Sequence, residues 1–171
     1  MDCTEISVER SVDEQAQKEE FSGKKHSHTL KNLIISLFCG FITFVSYGFS
    51  GSVHDKKVAD EVNLQFPKNS NLWTDSGFEG YQNPNAQLVQ LYKKPRGKEL
   101  SIEQLHHNYT ISQFRVKNEH AVGGMKRCAV IAQQRKTREE KTHNKHLFAC
   151  SGLHNLRVMH REKSVWRNFT R

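Results

Sequence analysis

The sequence lacks the cysteine pattern of a small secreted protein. Its four cysteines (Cys3, Cys39, Cys128 and Cys150) include no Cys-x-x-Cys pair, and no segment resembles a secretory signal with its cleavage site. We therefore expect no disulfide framework, and a reducing cytoplasm as the location.

Internal repeats and low-complexity tracts are absent too, which argues against solenoid and repeat architectures. The 171 residues are enough for one domain with a single core and too few for two comfortable ones. Apolar residues make up 36% of the chain, slightly below the globular average, which excludes wholesale disorder.

Charge is distributed unevenly along the chain. Residues 1–80 hold 8 Lys and Arg against 12 Asp and Glu, a balance of −4. Residues 81–171 hold 18 against 6, a balance of +12. A block with that excess is typical of proteins that bind a polyanion, either nucleic acid or an acidic membrane surface. Charge alone is equally consistent with a solvated basic face.

The longest apolar run covers residues 33–49, at 17 residues the lower limit for a membrane span. Its apolar residues are largely β-branched or aromatic, and Cys39-Gly40 divides it into two strand-length pieces near residues 31–38 and 41–47. This pattern favours a central hairpin buried on both faces. The residues alone leave a membrane span open.

Elsewhere the pattern predicts a strand-rich first half, starting in the order βββαβ, and a helical second half. Alternation predicts strands at residues 4–8, 71–74 and 87–92, and helical spacing predicts helices at residues 54–66 and 145–158. Ser101 and Gln104 form a capping-box signature at the start of a further helix.

Three charged residues of that helix fall on one narrow face. At 100° per residue, Glu119 lies about 40° from Arg115, and Lys126 about 20°. A carboxylate flanked by cations suits a site that handles a metal and a phosphodiester. Taken alone, the pattern is more typical of a surface ion pair.

The neighbouring residues carry a resemblance. Residues 116–127 (Val-Lys-Asn-Glu-His-Ala-Val-Gly-Gly-Met-Lys-Arg) resemble the last catalytic segment of DDE transposases, in particular the insertion-sequence-five and Harbinger-like branch of DDE superfamily endonucleases. Further stretches agree in order: Asp-Cys-Thr-Glu at 2–5, Phe-Ser-Gly-Lys-Lys-His-Ser-His-Thr-Leu-Lys at 21–31, Phe-Ser-Gly-Ser-Val-His-Asp at 49–55, Asp-Ser-Gly-Phe-Glu-Gly-Tyr at 75–81 and Cys-Ser-Gly-Leu-His-Asn-Leu-Arg at 150–157.

The resemblance implies an α/β, RNase H-like fold, a mixed central sheet flanked by helices, in which residues 29–47 are core strands. It also implies a catalytic set of Asp2, Asp75 and Glu119. Asp55 falls on a family motif too, and we expect a supporting role at the site mouth or a ligand role in place of Asp75.

The implied chemistry is metal-dependent cleavage and strand transfer of DNA. Three carboxylates are suitable ligands for Mg²⁺ or Mn²⁺. The expected metal-binding residues are Asp2, Asp75 and Glu119, with Asp55 as a further candidate ligand. Cations would hold DNA phosphates without reading sequence; those expected to do so are Arg115, Lys126, Arg127, Lys93, Lys94 and Arg96.

The sequence departs from the family at its start, where Met1 directly precedes Asp2. We expect an N-terminally incomplete catalytic domain over residues 1–158, with a first strand too short to hold Asp2 firmly, and an unassigned basic tail over 159–171. The expected function is a transposase catalytic domain of little activity that acts on transposon ends and target DNA, with no membrane association and as a homodimer in a full-length context. The alternative is a non-catalytic DNA-binding remnant.

A zinc site offers a different interpretation of the histidine-rich second half. His143, His146, Cys150 and His154 contain two potential ligand types. Their spacings fit no common closed zinc site and describe one face of a helix, so we expect no zinc there.

Overall fold

The computed structural model describes residues 1–134 and 139–161, so residues 162–171 of the predicted tail lie outside the described part. The strands are β1 (Asp2–Ser7), β2 (Phe21–Ser22), β3 (Ser27–Ser36), β4 (Ile42–Val45), β5 (Phe49–Ser50), β6 (Ser70–Trp73) and β7 (Ala86–Val89). The helices are α1 (Glu14–Glu20), α2 (Asp55–Val62), α3 (Ile102–Met125), α4 (Ala129–Ala132) and α5 (Glu140–Arg161), with a short 3-10 turn at Ser76–Phe78.

Strand β3 is the centre of the larger sheet. It pairs antiparallel with β1 along its length, with Asp2 opposite Ile34 and Glu5 opposite Lys31. It also pairs antiparallel with β2, β4 and β5. Every strand of this five-stranded sheet therefore hydrogen-bonds to β3.

Helices cover both faces of β3. Leu33 packs into a core cluster with Val58 and Ala59 of α2. Its neighbour Ile34 packs into a second cluster with Met125 of α3 and Leu147 of α5. Because successive strand residues point to opposite faces, one apolar run supplies two cores.

The predicted hairpin is confirmed, since residues 33–49 lie in β3, β4 and β5, and Ile34 stands opposite Val45. The expectation of burial on both faces holds for β3 but is wrong for β4, where Thr43 is exposed and its hydroxyl donates to the Ile35 carbonyl at 3.2 Å. None of the helices formed by the described residues combines the length and the hydrophobicity that crossing a bilayer requires.

A single mixed central sheet was expected, and here the structure differs. Strands β6 and β7 form a separate two-stranded parallel sheet. The main-chain contact with β1 is a 2.9 Å hydrogen bond that the Met1 ammonium donates to the Trp73 carbonyl. The mixed α/β architecture with flanking helices is confirmed, but the strand ladder is interrupted between β1 and β6.

The start of the chain is well packed. The Met1 side chain is buried in the same cluster as Leu33, and Asp2 begins a fully paired β1. The expectation that Asp2 would be loosely held therefore differs from the structure, because burial of Met1 and its bond to Trp73 anchor this end of the strand.

Helix α3 begins with the predicted capping box. The Gln104 backbone N–H donates to the Ser101 hydroxyl at 3.2 Å, and the Ser101 N–H donates to the Gln104 side chain at 3.0 Å. Midway along the helix, the Ser36 hydroxyl at the end of β3 donates to Asn118 at 2.7 Å. These two anchors fix which residues of α3 lie over the sheet.

Candidate functional site

A cavity of about 570 Å³ opens where β1, β6 and α3 meet. The three carboxylates of the predicted catalytic set all line it: Asp2 from β1, Asp75 from the second position after the end of β6, and Glu119 from α3. The chain therefore brings together residues that are 73 and 44 positions apart in the sequence.

Asp2 occupies the least favourable position for a charge. It lies opposite Ile34, and directly opposite residues of an antiparallel pair share a face of the sheet, so its side chain is on the α3 side. Burial raises the pKa of Asp2 above its usual value of 3.8, and the charges of Asp75 and Asp55 raise it further. The Cys3 N–H, which donates to its carboxylate at 2.8 Å, and the N-terminal ammonium partly offset this effect.

Asp75 has defined partners on two sides. Its carboxylate accepts the Ser76 N–H at 2.6 Å and so caps the 3-10 turn that follows. The other oxygen accepts a hydrogen bond from the Arg115 guanidinium at 3.2 Å. The same nitrogen of Arg115 lies 3.9 Å from Glu119, so the guanidinium bridges two of the three carboxylates.

An aromatic cluster of three residues forms one wall of the cavity. The Phe114 ring of α3 lies 4.4 Å from Trp73 and 4.5 Å from Phe38, measured between ring centroids. Phe38 also meets Trp73 edge-on at 5.6 Å. These contacts fix the rotation of α3 one residue before Arg115, so packing determines where the cationic and acidic side chains point.

Asp55 lies in a different environment from the other three acids. Its carboxylate forms an ion pair with the Lys31 ammonium at 2.9 Å. The same ammonium donates to the Val53 carbonyl at 2.6 Å and lies 3.8 Å from the Glu5 carboxylate. Lys31 stands on the face of β3 opposite to Ile34, which is the side that α2 covers. Asp55 is not part of the cavity lining.

Asp55 nevertheless contacts the turn that follows Asp75. A Cβ atom placed on Gly77 would lie only 2.7 Å from an Asp55 carboxylate oxygen. Glycine is therefore required for this approach, and Asp55 packs against the backbone that carries Asp75. The supporting role that the family resemblance implies for Asp55 stays a prediction.

The donor set suits a hard divalent cation in chemistry but is not assembled around one here. Carboxylate oxygens are the ligands that Mg²⁺ and Mn²⁺ prefer, and three of them line one cavity. Within residues 1–134 and 139–161, however, no three His, Cys, Asp or Glu side chains lie close enough together to hold a metal ion. The Arg115 guanidinium stands between Asp75 and Glu119 instead.

The remaining predicted DNA contacts are scattered. Lys126 follows the last residue of α3 and donates to the Glu5 carbonyl of β1 at 2.9 Å, and burial lowers its pKa. Lys93 pairs with Glu79, and Lys94 pairs with Glu99 at 2.6 Å. Arg96 and Arg127 are exposed. Arg115 is the one of these cations that lines the carboxylate cavity.

The histidines of α5 serve the fold. His143 lies 3.0 Å from the Asn32 side chain, with both residues buried. His154 lies 2.9 Å from the Gly40 carbonyl. Burial raises the pKa of the Cys150 thiol to about 12, which keeps it protonated.

Two features of the site were not predicted from the sequence. The first is Lys31, whose position just before an apolar run suggests a flanking charge rather than a buried partner for two acids. The second is the aromatic cluster, whose members are separated by 35 and 41 residues. A charged residue inside an alternating strand pattern is the available signal for Lys31; no local pattern identifies the cluster.

Comparisons of the sequence with known proteins found one family and one curated relative. The family described as DDE superfamily endonuclease matches residues 1–155. A curated relative, "Probable transposase for insertion sequence element IS702" of Microchaete diplosiphon, is 30% identical over 142 residues, which cover 82% of this chain and 50% of the relative. The chain thus spans about half the length of the curated relative it matches. No solved structure matches the chain.

Proposed function

Since the chain belongs to the DDE superfamily endonucleases, we propose that it is a transposase catalytic domain that cuts and joins DNA at insertion-sequence ends. Asp2, Asp75 and Glu119 are its catalytic carboxylates. The single observation that carries the proposal is their convergence on one cavity from β1, the end of β6 and α3.

An RNase H-like arrangement is part of this proposal. Three antiparallel strands (β1, β3 and β4) lead through the crossover helix α2 to β6, and β7 runs parallel to β6. The bond from Met1 to Trp73 sets β6 beside β1. This order supports one catalytic domain over residues 1–158, the boundary that we expect from the sequence.

Asp2, Asp75 and Glu119 would hold the divalent cation, Mg²⁺ or Mn²⁺. A cation bound there supplies Lewis-acid polarisation of a phosphate and a water of lowered pKa. Burial raises the pKa of Asp2, and the charges of Asp75 and Asp55 raise it further. A bound cation would offset both effects, which supports this role. Asp55 is assigned to positioning, through Lys31 and the backbone of Gly77.

Arg115 is proposed to exchange partners when DNA binds. Its guanidinium is 30% exposed, so an incoming phosphate can reach it, and arginine binds phosphate in the same bidentate geometry as a carboxylate. Released from Asp75 and Glu119, it would neutralise a phosphate next to the carboxylates. We extend the DNA path to Lys126, Arg127, Lys93, Lys94 and Arg96, in a cytoplasmic protein that acts as a homodimer in a full-length context.

A second candidate function is that of a non-catalytic DNA-binding remnant. The observation that favours it is the ion pairing of Asp75 and Glu119 with Arg115. If that pairing persists when metal and DNA are present, the carboxylates stay occupied, and the basic half of the chain retains only affinity for DNA.

Nicking of supercoiled plasmid by the purified chain in Mg²⁺ or Mn²⁺ tests the proposal. We expect slow nicking by the wild-type chain and none in Ca²⁺. Asp75→Asn and Glu119→Gln should each reduce it more than about 100-fold, since losing a metal ligand exceeds the roughly 10–100-fold effect of losing a supporting residue. Asp55→Asn should reduce it less than either.

The control is Asp60→Asn on the exposed surface of α2, where the carboxylate pairs with Lys56. It should nick like the wild type, and anisotropy with a labelled duplex should show that all variants still bind DNA. Binding without metal-dependent nicking would establish the remnant instead. A chain that binds no DNA would overturn both functions, and an active Asp75→Asn with an inactive Asp55→Asn would reverse the assignment of the second carboxylate.

A further inference from the structure

A second cavity, of about 420 Å³, lies beside the first and has the opposite charge. The C-terminal end of α3 and the last two turns of α5 form its walls. Its charged lining consists of Arg127, Arg157 and Arg161, with Glu119 as the acid at the boundary. Glu119 also lines the carboxylate cavity, so the two cavities share one side chain.

The arginines converge because of how α5 repeats and how closely it approaches α3. His154, Arg157 and Arg161 follow at intervals of three and four residues, which places them on one face of the helix. At the crossing, a Cβ on Gly124 would lie 2.4 Å from the His154 ring. Glycine at this position lets the two helices approach closely, and Arg127 lines the same cavity as the two α5 arginines.

One arginine is oriented and two are available. The Arg157 guanidinium donates to the Gly124 carbonyl at 3.3 Å, which directs it along the cavity wall. Arg127 and Arg161 are exposed, and neither forms an ion pair with any other residue that the structure describes. Within that described part, three like charges therefore share a cavity whose acidic lining residue, Glu119, pairs with Arg115 instead.

We propose that this cavity is a phosphate-binding site for the DNA backbone, and that it holds a phosphate next to the one presented to Asp2, Asp75 and Glu119. The inference rests on the proposed function, since the shared residue Glu119 is what connects the two cavities. Arginine forks match the geometry of a phosphodiester, and contacts of this kind position DNA without reading its sequence. Arg157 and Arg161 thereby gain a role in addition to Arg127.

Binding of a fluorescein-labelled duplex, followed by anisotropy over a series of salt concentrations, tests the site. Each phosphate contact adds about 0.9 to the slope of log affinity against log salt. Arg127→Ala and Arg161→Ala should each lower that slope by about 1 and weaken binding about tenfold at low salt. Both side chains are exposed, so these variants should fold normally, which circular dichroism checks.

Arg10→Ala is the matched control, because it removes the same positive charge at an exposed position. Arg10 follows β1, and its side chain donates a hydrogen bond to Gln17. The variant should leave the slope unchanged. If the wild-type chain binds the duplex and all three variants show the same salt slope as the wild type, the phosphate site is overturned and the proposed function is left intact. Absence of duplex binding by the wild-type chain would overturn the proposed function and the site together.

Inorganic phosphate distinguishes a DNA backbone site from a site for a free anion. At constant ionic strength, millimolar phosphate should not displace the duplex, because a single anion lacks the adjoining phosphates held near Glu119. Displacement from the wild-type chain, with none from Arg127→Ala or Arg161→Ala, would assign the cavity to a free anion and contradict the proposal.

Discussion

The two faces of the β1–β3 pair treat buried acids in opposite ways. On the α2 side, Glu5 and Asp55 share the ammonium of Lys31, whose side chain is only 9% exposed. On the α3 side, Asp2 has no ion-pair partner among the side chains that the structure describes, and its pKa is raised by burial and by other acids. Asp2 and Glu5 lie in the same strand, β1, yet the acids on one face have a cation partner and Asp2 on the other face does not.

Under the proposed function, this difference separates Asp55, which holds the fold, from Asp2, which remains available to a ligand. A buried acid that is paired with a cation contributes to the structure only while the pair is complete. A buried acid without such a partner destabilises the chain, and it persists at positions where a ligand supplies the missing charge. The pairing state, rather than the residue type, distinguishes Asp55 from Asp2.

The largest effect is expected from removing Lys31, the cation that pairs with the acids on the α2 side. Lys31→Met should lower the free energy of unfolding by about 3 kcal/mol, the lower end of the range for breaking a buried pair, because it leaves Glu5 and the partly exposed Asp55 without their counter-charge. Urea denaturation followed by far-ultraviolet circular dichroism measures the loss. The double variant with Asp55→Asn should recover part of it.

Lys57→Met is the control for that experiment. Lys57 forms an exposed pair with Glu61 one turn away on α2, and such pairs contribute about 0.3–0.5 kcal/mol. Equal effects of the two lysine substitutions would show that Lys31 is no more important than a surface charge, and the distinction between the faces would disappear.

An intermediate effect is expected where the two faces meet. In Gly77→Ala, the new Cβ would lie 2.7 Å from the Asp55 carboxylate, which Lys31 keeps from moving away. We expect a loss of about 1–3 kcal/mol from overpacking and a reduced rate of nicking, because the turn carries Asp75. Thermal unfolding and the plasmid assay measure the two effects.

Gly152→Ala provides the opposite case. This glycine lies inside α5, and a methyl group added to it would meet no atom of another described element within 4 Å, so alanine should stabilise the helix by about 0.5–1 kcal/mol. A destabilising Gly152→Ala, or a neutral Gly77→Ala, would contradict the packing described for the two positions.

The smallest effect should come from neutralising the other face. The pKa of Asp2 is raised in the folded chain, so the folded state holds its proton more tightly than the unfolded state does. The contribution of protonated Asp2 to stability is therefore fully present below pH 3.8, the usual pKa of the group. It is lost as the pH rises through the raised pKa of the folded chain. Asp2→Asn should be more stable than the wild type at pH 7.

Unfolding free energies measured from pH 3 to pH 8 check this prediction. The difference between variant and wild type should grow with pH and then level off. A variant that is less stable than the wild type at pH 7 would show that the Asp2 charge is compensated in the folded chain, and the contrast with Asp55 would fail.

Local patterns were sufficient to predict several parts of the molecule. The hairpin of β3 and β4 follows from the β-branched and aromatic residues on either side of Cys39-Gly40, and the start of α3 follows from Ser101 and Gln104. The carboxylates Asp2, Asp75 and Glu119 were assigned by family resemblance, and the structure places them around one cavity. Their catalytic role stays a prediction.

Contacts between distant segments were not predictable in the same way. The helix-face argument placed Lys126 beside Arg115 and Glu119, but α3 ends at Met125, and Lys126 turns to the Glu5 carbonyl. Periodicity assumes that the helix continues, and only packing against β1 decides where it stops. The bridge from Arg115 to Asp75 joins residues 40 positions apart, a distance over which spacing carries no information.

The aromatic wall of the carboxylate cavity also contains a tryptophan whose intrinsic fluorescence can report on the site. Trp73 is in contact with Phe38 and Phe114, and its carbonyl accepts the Met1 ammonium. The chain has two tryptophans, and the other, Trp166, lies outside the described residues. In Trp166→Phe the emission of Trp73 becomes an intrinsic optical reporter, so entry of a cation or an oligonucleotide into the cavity can be followed by fluorescence titration without any attached dye.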